Sequence, residues 1–508
     1  MSVIRHKIGL LIRWAAKKNC PATITLLVKF FPQHIYHVSY FFLTRKNDVL
    51  KAAYLTKFLS TQTDKEKNYK ARVKELTDVI SNGCCEVINP QSTEINAAFN
   101  QFNNNVMFCL HNSAPYDFAG YWHRTSAIFS SLTPAGINIS AATRPGYPWD
   151  LIKHRQEPKI ASNNIDNVTI HRLTDDNRQY RQVTDSSYVQ HYAKQVAEIA
   201  KMADKSVIHG HSNYLNGLAA SQAAKLMGVK SVYEARGLWH YTRLSKEPDY
   251  LHTDMFRYDD AMEKMAMQQA DAVVTLSSAM KSLIVSWDIP QDKVWVIPNA
   301  VDTELFQPQP VSIELRRTLA SDDTFIIGFI GSITIYEGLE DLIAACIQLK
   351  NKGLNIHLAI IGSGPYENEI RALAESHSFI NCYGRVPHNE VNDWYSTFDM
   401  CAYPRKADIV CQYVPPMKVL EAMAMGIPVL VSDLAPLVEL VDDGKVGTVC
   451  ESSNLSSLTE KLEFMYYNQA ETSALAKDGI AWIKENRTWE RNAFLYRQMY
   501  QSLYKTSA

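Results

Sequence analysis

Two α/β units, each a doubly wound parallel sheet of the Rossmann kind with helices on both faces, are what this sequence predicts. Three observations carry the prediction. The chain has 508 residues, which is room for two large domains. Short apolar runs alternate with amphipathic helical stretches, a rhythm that calls for a parallel sheet covered on both sides. The rhythm also runs twice, from Val106 and again from Phe325, with a proline-bearing linker at 306–311 between the two series. Hydrophobic residues make up 46% and charged residues 21% of the chain, enough apolar material for two cores and no sign of general disorder.

In the first series, strands are expected at 106–110, 137–141, 206–209, 229–233, 272–276 and 294–298, with helices at 123–132, 219–227 and 255–269. In the second, strands at 325–330, 357–361, 381–383, 400–403 and 428–432 alternate with helices at 338–350, 367–376, 391–397, 419–425 and 455–468. The domains that follow are a basic helical extension at 1–100, a first Rossmann-like domain at 101–310 and a second at 311–485. A final aromatic helix at 486–508 is expected to cross back to the first domain. Within the extension, apolar faces recur at 7–18 and 23–31, and 63–76 reads as a solvated charged helix or linker.

Charge is unevenly spread. The 52 Lys and Arg against 53 Asp and Glu give a net charge of -1, which excludes a protein that coats itself in nucleic acid. Residues 1–57 nevertheless hold ten bases and one acid, Asp48, a composition suited to an anionic membrane surface. No run of about 18 apolar residues occurs, so no spanning helix is expected. Lysines interrupt any signal-peptide core, so no export is expected either. The nine cysteines are scattered without zinc or CxxC spacing, which fits reduced thiols in a cytoplasmic protein, peripheral on the inner face of the cell membrane.

The most informative stretch runs from Tyr403 to Gly426. Pro415 and Pro416 suit a helix start and Gly426-Ile427-Pro428 a helix stop. Lys418 then lies in the first turn, where a cation opposes the helix dipole unless a phosphate sits between it and the free N–H groups. Glu421 follows at i+3 and could take both hydroxyls of a ribose, or simply pair with Lys418. Arg405 ends a strand within reach of the same diphosphate. Gly331-Ser332 and Gly362-Ser-Gly-Pro365 close two further strands, and Gly384-Arg385-Val386 a third that can offer backbone to a base. The open-sheet rule places a ligand beyond these strand ends, in the crevice between the two halves.

Together with Ile297-Pro-Asn-Ala-Val-Asp302, Gly331 to Gly338, Pro416-Met-Lys-Val-Leu-Glu-Ala-Met-Ala-Met-Gly-Ile-Pro-Val429 and Glu439, these residues resemble family 4 retaining glycosyltransferases of the GT-B fold, over about 106–505. The branch resembled builds bacterial surface polysaccharides such as capsule and exopolysaccharide. The resemblance implies a metal-independent hexosyltransferase without cofactor, whose donor is a nucleotide sugar, UDP-linked in most members, and whose acceptor is a saccharide or lipid-linked saccharide. It places the donor on Gly331, Ser332, Gly362, Arg385, Val386, Arg405, Lys418, Val419, Leu420 and Glu421. On the acceptor side it points to the loop His111-Asn112 to Gly120-Tyr121, to His211, and to Glu234 and Arg236 after a strand, near where the family often has a histidine. Glu234, Arg236, Arg405 and Lys418 are the expected catalytic set, with a buried structural ion pair as the other reading of Glu234 and Arg236.

Two departures stand out. The first glutamate of the family's pair falls at Tyr413, with Gln412 the nearest polar group, and the usual arginine and lysine after the first donor-side strand are Ser332 and Glu337. The departures admit a degenerate nucleotide-binding scaffold subunit, and the fold admits a sugar-nucleotide epimerase. No Asp-x-Asp occurs, which argues against the metal-holding transferase fold.

Overall fold

In the computed structural model, the described residues are Leu10, Trp14, 33–46, 48–57, 59, 63–83, 99–118, 120–174 and 183–505. The amphipathic stretches expected at 7–18 and 23–31 therefore lie almost wholly outside them. The chain divides into two compact units, Met1–Val274 with Met499–Ala508, and Thr275–Gln498.

The first unit is built on β1 (Asn105–Leu110), β2 (Asn138–Thr143), β3 (Ser162–Ile165), β4 (Val168–Arg172), β5 (Val207–His211), β6 (Lys230–Glu234) and β7 (Ala272–Thr275). With the short β8 (Val294–Val296), the sheet has the order β3-β4-β2-β1-β5-β6-β7-β8. The neighbours β2, β1, β5, β6 and β7 run parallel, and every residue of β5 and β7 is buried, as strands covered on both faces require. The expected alternation misses three features. The antiparallel edge pair β3–β4 is short and half polar. The helix Asp185–Met202, capped by Thr184, buries Tyr188, Val189, Tyr192, Ala193 and Val196 at helical spacing. The helix Tyr214–Met227 begins five residues before the apolar signal at 219.

Of the two readings of 63–76, solvated helix or linker, the helix is the one formed, and one of its faces is buried rather than solvated. The segment belongs to a helix, Asp64–Asn82, that opens with a capping box between Thr63 and Glu66 and closes on Gly83 in the left-handed region. Its inner face buries Tyr69, Val73, Leu76 and Val79. Glu75 on that face accepts hydrogen bonds from the backbone N–H groups of Asp185 (2.7 Å) and Ser186 (3.0 Å), so it caps the helix Asp185–Met202.

The second unit carries β9 (Phe325–Ile330), β10 (Ile356–Ile361), β11 (Ile380–Gly384), β12 (Met400–Tyr403), β13 (Val429–Ser432) and β14 (Thr448–Cys450). All are parallel, in the order β11-β10-β9-β12-β13-β14. The first strand of this series has its successor on one side and β12 on the other, so the winding direction reverses between β9 and β12. That reversal is where a doubly wound sheet binds its ligand.

Candidate active site

In the second unit the reversal point is formed by the turns after β9 and β12. Gly338, at φ 71°, lies so close to the β12 turn that a Cβ would stand 2.0 Å from the Pro404 carbonyl oxygen. Across this contact Arg405 donates from Nη2 to Glu337 Oε1 (2.7 Å) and from Nε to Oε2 (3.0 Å), a two-pronged ion pair, and from Nη1 to the Val414 carbonyl (3.1 Å). Burial alone would lower the guanidinium's pKa, but the Glu337 charge outweighs it and drives the pKa upward. Ser432 Oγ holds the Arg405 carbonyl at 2.7 Å. Arg405 thus ties the β9 turn, the 404–416 loop and the end of β13 together, and its charge is met by Glu337.

Lys418 opens the helix Lys418–Ala424 after Pro415 and Pro416. Its Nζ lies 2.8 and 3.0 Å from the two oxygens of Glu421. Two buried tyrosines that the sequence reading does not single out steady this turn. Tyr403 Oη reaches the Lys418 carbonyl at 3.2 Å, and Tyr395 Oη reaches Glu421 Oε2 at 3.2 Å. Lys418 keeps an intermediate exposure, 31% of its side chain, whereas Glu421 keeps 11%. Val419 and Leu420 are buried, while Ser332, Arg385 and Gln412 are exposed and Val386 is half-buried.

The glycines of the strand-end turns meet protein. A Cβ on Gly362 (φ 140°) would stand 1.8 Å from the Gly331 carbonyl oxygen, and one on Gly331 2.9 Å from the Phe329 ring. Backbone packing between the β9 and β10 turns therefore requires Gly362, and the Phe329 ring crowds Gly331, with or without a ligand.

The first unit gathers a second cluster, again at the carboxyl ends of parallel strands. Glu234, at the end of β6, is fully buried and accepts from Arg124 Nε (3.0 Å) and Arg236 Nε (2.7 Å). Burial works to raise its pKa, but the Arg236 and Arg124 charges hold the carboxyl well below the usual range. Arg236 also donates to Thr125 Oγ1 (2.7 Å) and to the Tyr121 carbonyl (3.0 Å), and its Nη2 lies 2.7 Å from His211 Nδ1. Burial, and after it the Arg236 charge, push the pKa of His211 well down. The imidazole is therefore neutral, and Arg236 Nη2, 2.7 Å from Nδ1 and 3.1 Å from Nε2, donates to its unprotonated ring nitrogen. Tyr121 completes the cluster, accepting from the His111 N–H at 2.9 Å under the Arg236 guanidinium, 5.0 Å from the ring centre.

Tyr121, His211, Glu234 and Arg236 are thus brought together. Asn112 instead pairs with Asp117, and Gly120 only starts the helix Gly120–Leu132. Sequence reading passes over Thr125 and Tyr500. Tyr500 Oη meets the buried His209 Nδ1 at 2.7 Å, and its signal is the helical spacing of the buried Ala493, Tyr496 and Tyr500. His209, His211 and Glu234 have donor atoms within 4.8 Å of one another, close enough for a metal ion. Two arginines on the same groups oppose a further cation, so the cluster does not fit a metal centre.

Two Rossmann-like units with charged turns at the carboxyl ends of their strands are the architecture of the GT-B glycosyltransferases. Residues 312–482 match the model of glycosyl transferases group 1 and residues 141–305 that of Glycosyltransferase Family 4, together about two-thirds of the chain. The chain belongs to glycosyltransferase family 4. It is 21% identical over 333 residues to the capsular polysaccharide biosynthesis glycosyltransferase CapM of Staphylococcus aureus, covering 62% of this chain and 84% of CapM. It is 25% identical to a GDP-mannose-dependent alpha-(1-6)-phosphatidylinositol monomannoside mannosyltransferase of Mycolicibacterium smegmatis, over 43% of this chain and only 59% of that protein. The structure of HepE from Anabaena in complex with UDP superposes with a TM-score of 0.59 at 15% identity, over 78% of this chain and all of that one.

Proposed function

We propose that the protein moves a hexosyl unit from a UDP-sugar to a saccharide or lipid-linked saccharide, with retention and without a metal, in building a bacterial surface polysaccharide. The observation that carries this reading is Lys418, a half-buried cation at the start of the helix that follows β12 and the 404–416 loop. A fixed cation of that kind supplies about 3 kcal/mol to the departing diphosphate. Both expected cations are ion-paired, Arg405 with Glu337 and Lys418 with Glu421, but Lys418 keeps 31% of its side chain exposed against 12% for Arg405, so Lys418 carries the larger part of this role. Glu421, steadied by Tyr395, is set to meet the ribose. For retention without a nucleophile at position 413, the departing phosphate takes the acceptor proton as the acceptor attacks the same face of the sugar.

In the first unit, Tyr121, His211, Glu234 and Arg236 form the acceptor-side cluster, in which Glu234 and Arg124 keep Arg236 in place. The CapM likeness supports the polysaccharide pathway and the HepE likeness the uridine base. The mycobacterial relative supports a second reading in which the base is guanosine. A lipid-linked acceptor places the protein peripherally on the inner face of the cell membrane.

Thermal shift of wild type and Lys418→Ala with UDP, GDP and their sugars tests both readings, since a ligand of the folded form raises the midpoint. UDP is expected to stabilise wild type and to lose at least tenfold in affinity with the variant. Stabilisation by GDP alone would move the reading to guanosine. Transfer at the wild-type rate by Lys418→Ala would sink the assigned role.

A further inference from the structure

The helices Val49–Thr56 and Asp64–Asn82 pack side by side and turn two unlike faces. Inward they bury Val49, Ala52 and Leu55 on one and Tyr69, Val73, Leu76 and Val79 on the other. Outward, Lys67, Lys70 and Lys74 follow one another at spacings of three and four, all exposed, beside the exposed Lys57 that ends the neighbouring helix. Between the helices runs a groove of about 560 Å3 whose lining includes all four lysines, with Ala53 and Ala71 on the same surface and Asp78 as the one acid. Lys67 is 3.3 Å from Asp64 and Lys57 lies 5.9 Å from the Tyr54 ring, while Lys70 and Lys74 form no ion pair among the described residues. Leu50, half exposed, adds apolar surface one turn before Ala53. Both helices lie outside the residues matched by the two family models.

We propose that this lysine-rimmed groove is the surface by which the protein sits on a membrane containing anionic lipid, an inference that rests on the peripheral placement proposed above. Four cations around a shallow apolar floor match phosphate headgroups above acyl chains. The rest of the molecule favours a flat partner over an extended polyanion. Beyond residue 57 the chain carries 42 bases and 52 acids, so a polymer that wrapped the protein would meet repulsion, whereas a bilayer meets one face. The inner face is anchored by Glu75 capping the helix Asp185–Met202, so the groove moves with the first unit and is no loose tether.

The test is co-sedimentation of the full chain with vesicles of phosphatidylcholine alone and with roughly 30% phosphatidylglycerol added to give a negative surface potential. Wild type is compared with the triple variant Lys57→Gln, Lys70→Gln, Lys74→Gln and with the double reversal Lys70→Glu, Lys74→Glu, all at exposed positions and checked for an unchanged melting midpoint. A lysine near such a surface contributes about fivefold in partitioning, so the triple variant is expected to bind the anionic vesicles about a hundredfold more weakly. Wild-type binding lost in both variants and weakened by salt supports the groove. Wild-type binding that both variants retain overturns the groove and leaves peripheral attachment standing through other residues. No binding by wild type, or equal binding to neutral vesicles, overturns the groove and the peripheral placement together. None of these readings depends on turnover.

Discussion

Arg405 and Glu337 stand 68 positions apart, and nothing in either neighbourhood announces the other. Sequence reading assigns the arginine to a phosphate and treats the glutamate as a departure. Strand order resolves both, since β9 and β12 are neighbours in the sheet and the turns that follow them, which carry Glu337 and Arg405, fall against each other. The departure at Glu337 is thereby the complement of Arg405. Arg405→Gln leaves a buried carboxylate unpaired and is expected to cost about 3–5 kcal/mol, with Glu337→Gln in the same chain recovering much of it; chemical denaturation of the two variants checks this. A second buried carboxyl yields a pH signature. Burial raises the Glu263 pKa to about 7, with the Tyr233 hydroxyl 2.5 Å away. A carboxyl raised above its unfolded value stabilises the fold most at low pH and loses that contribution as pH rises through about 7. Glu263→Gln, which imitates the protonated form, is expected to match wild type near pH 4 and to exceed it by about 3 kcal/mol above pH 8, read from melting midpoints across pH.

The turns and helices divide by how local their causes are. The helix of Lys418 is bracketed by two prolines and Gly426, signals a few residues wide, and the expected 419–425 differs from Lys418–Ala424 by one residue. The turn glycines are equally plain in sequence, but their reason is not, because the atoms they make room for belong to another turn. Gly362→Ala would press a methyl group onto the Gly331 carbonyl at a backbone angle that only glycine accepts, with an expected loss of about 3 kcal/mol or more in urea unfolding. The helix Asp185–Met202 escapes notice since its buried face mixes Asp185, Ser186, Tyr188 and Tyr192 with only four small aliphatic side chains, Val189, Ala193, Val196 and Ala200. Glu75, 110 positions earlier, adds to the Thr184 cap by accepting from the Asp185 N–H, which also explains why the charged stretch at 63–76, expected as a solvated helix or linker, is a helix packed on the first unit. Glu75→Ala is expected to destabilise the first unit by about 1–3 kcal/mol, checked by hydrogen exchange at the start of Asp185–Met202.

For the molecule as a whole, the doubled α/β rhythm made the fold class legible, because burial on both faces writes itself into each strand. The electrostatic cluster of the first unit was only half legible, since Glu234 and Arg236 follow one strand whereas Arg124 and His211 come from other elements and meet them only once β1, β5 and β6 are paired. Tyr500 belongs to the same cluster from the far end of the chain. Tyr504 reinforces it, with its hydroxyl 2.5 Å from the Ser206 carbonyl. Deleting 499–508 is therefore expected to lower the first unit's melting temperature by several degrees and to expose His209, detectable as a change in its imidazole NMR signals. The same ten residues put synthesis itself out of step with folding. A ribosome adding roughly 5–20 residues per second needs some 11–45 seconds to travel from position 274 to 499, and throughout that interval the first unit waits with its buried histidine uncovered. A nascent chain in that state is a substrate for chaperones, and translation stalled anywhere in the second half would leave the first unfinished.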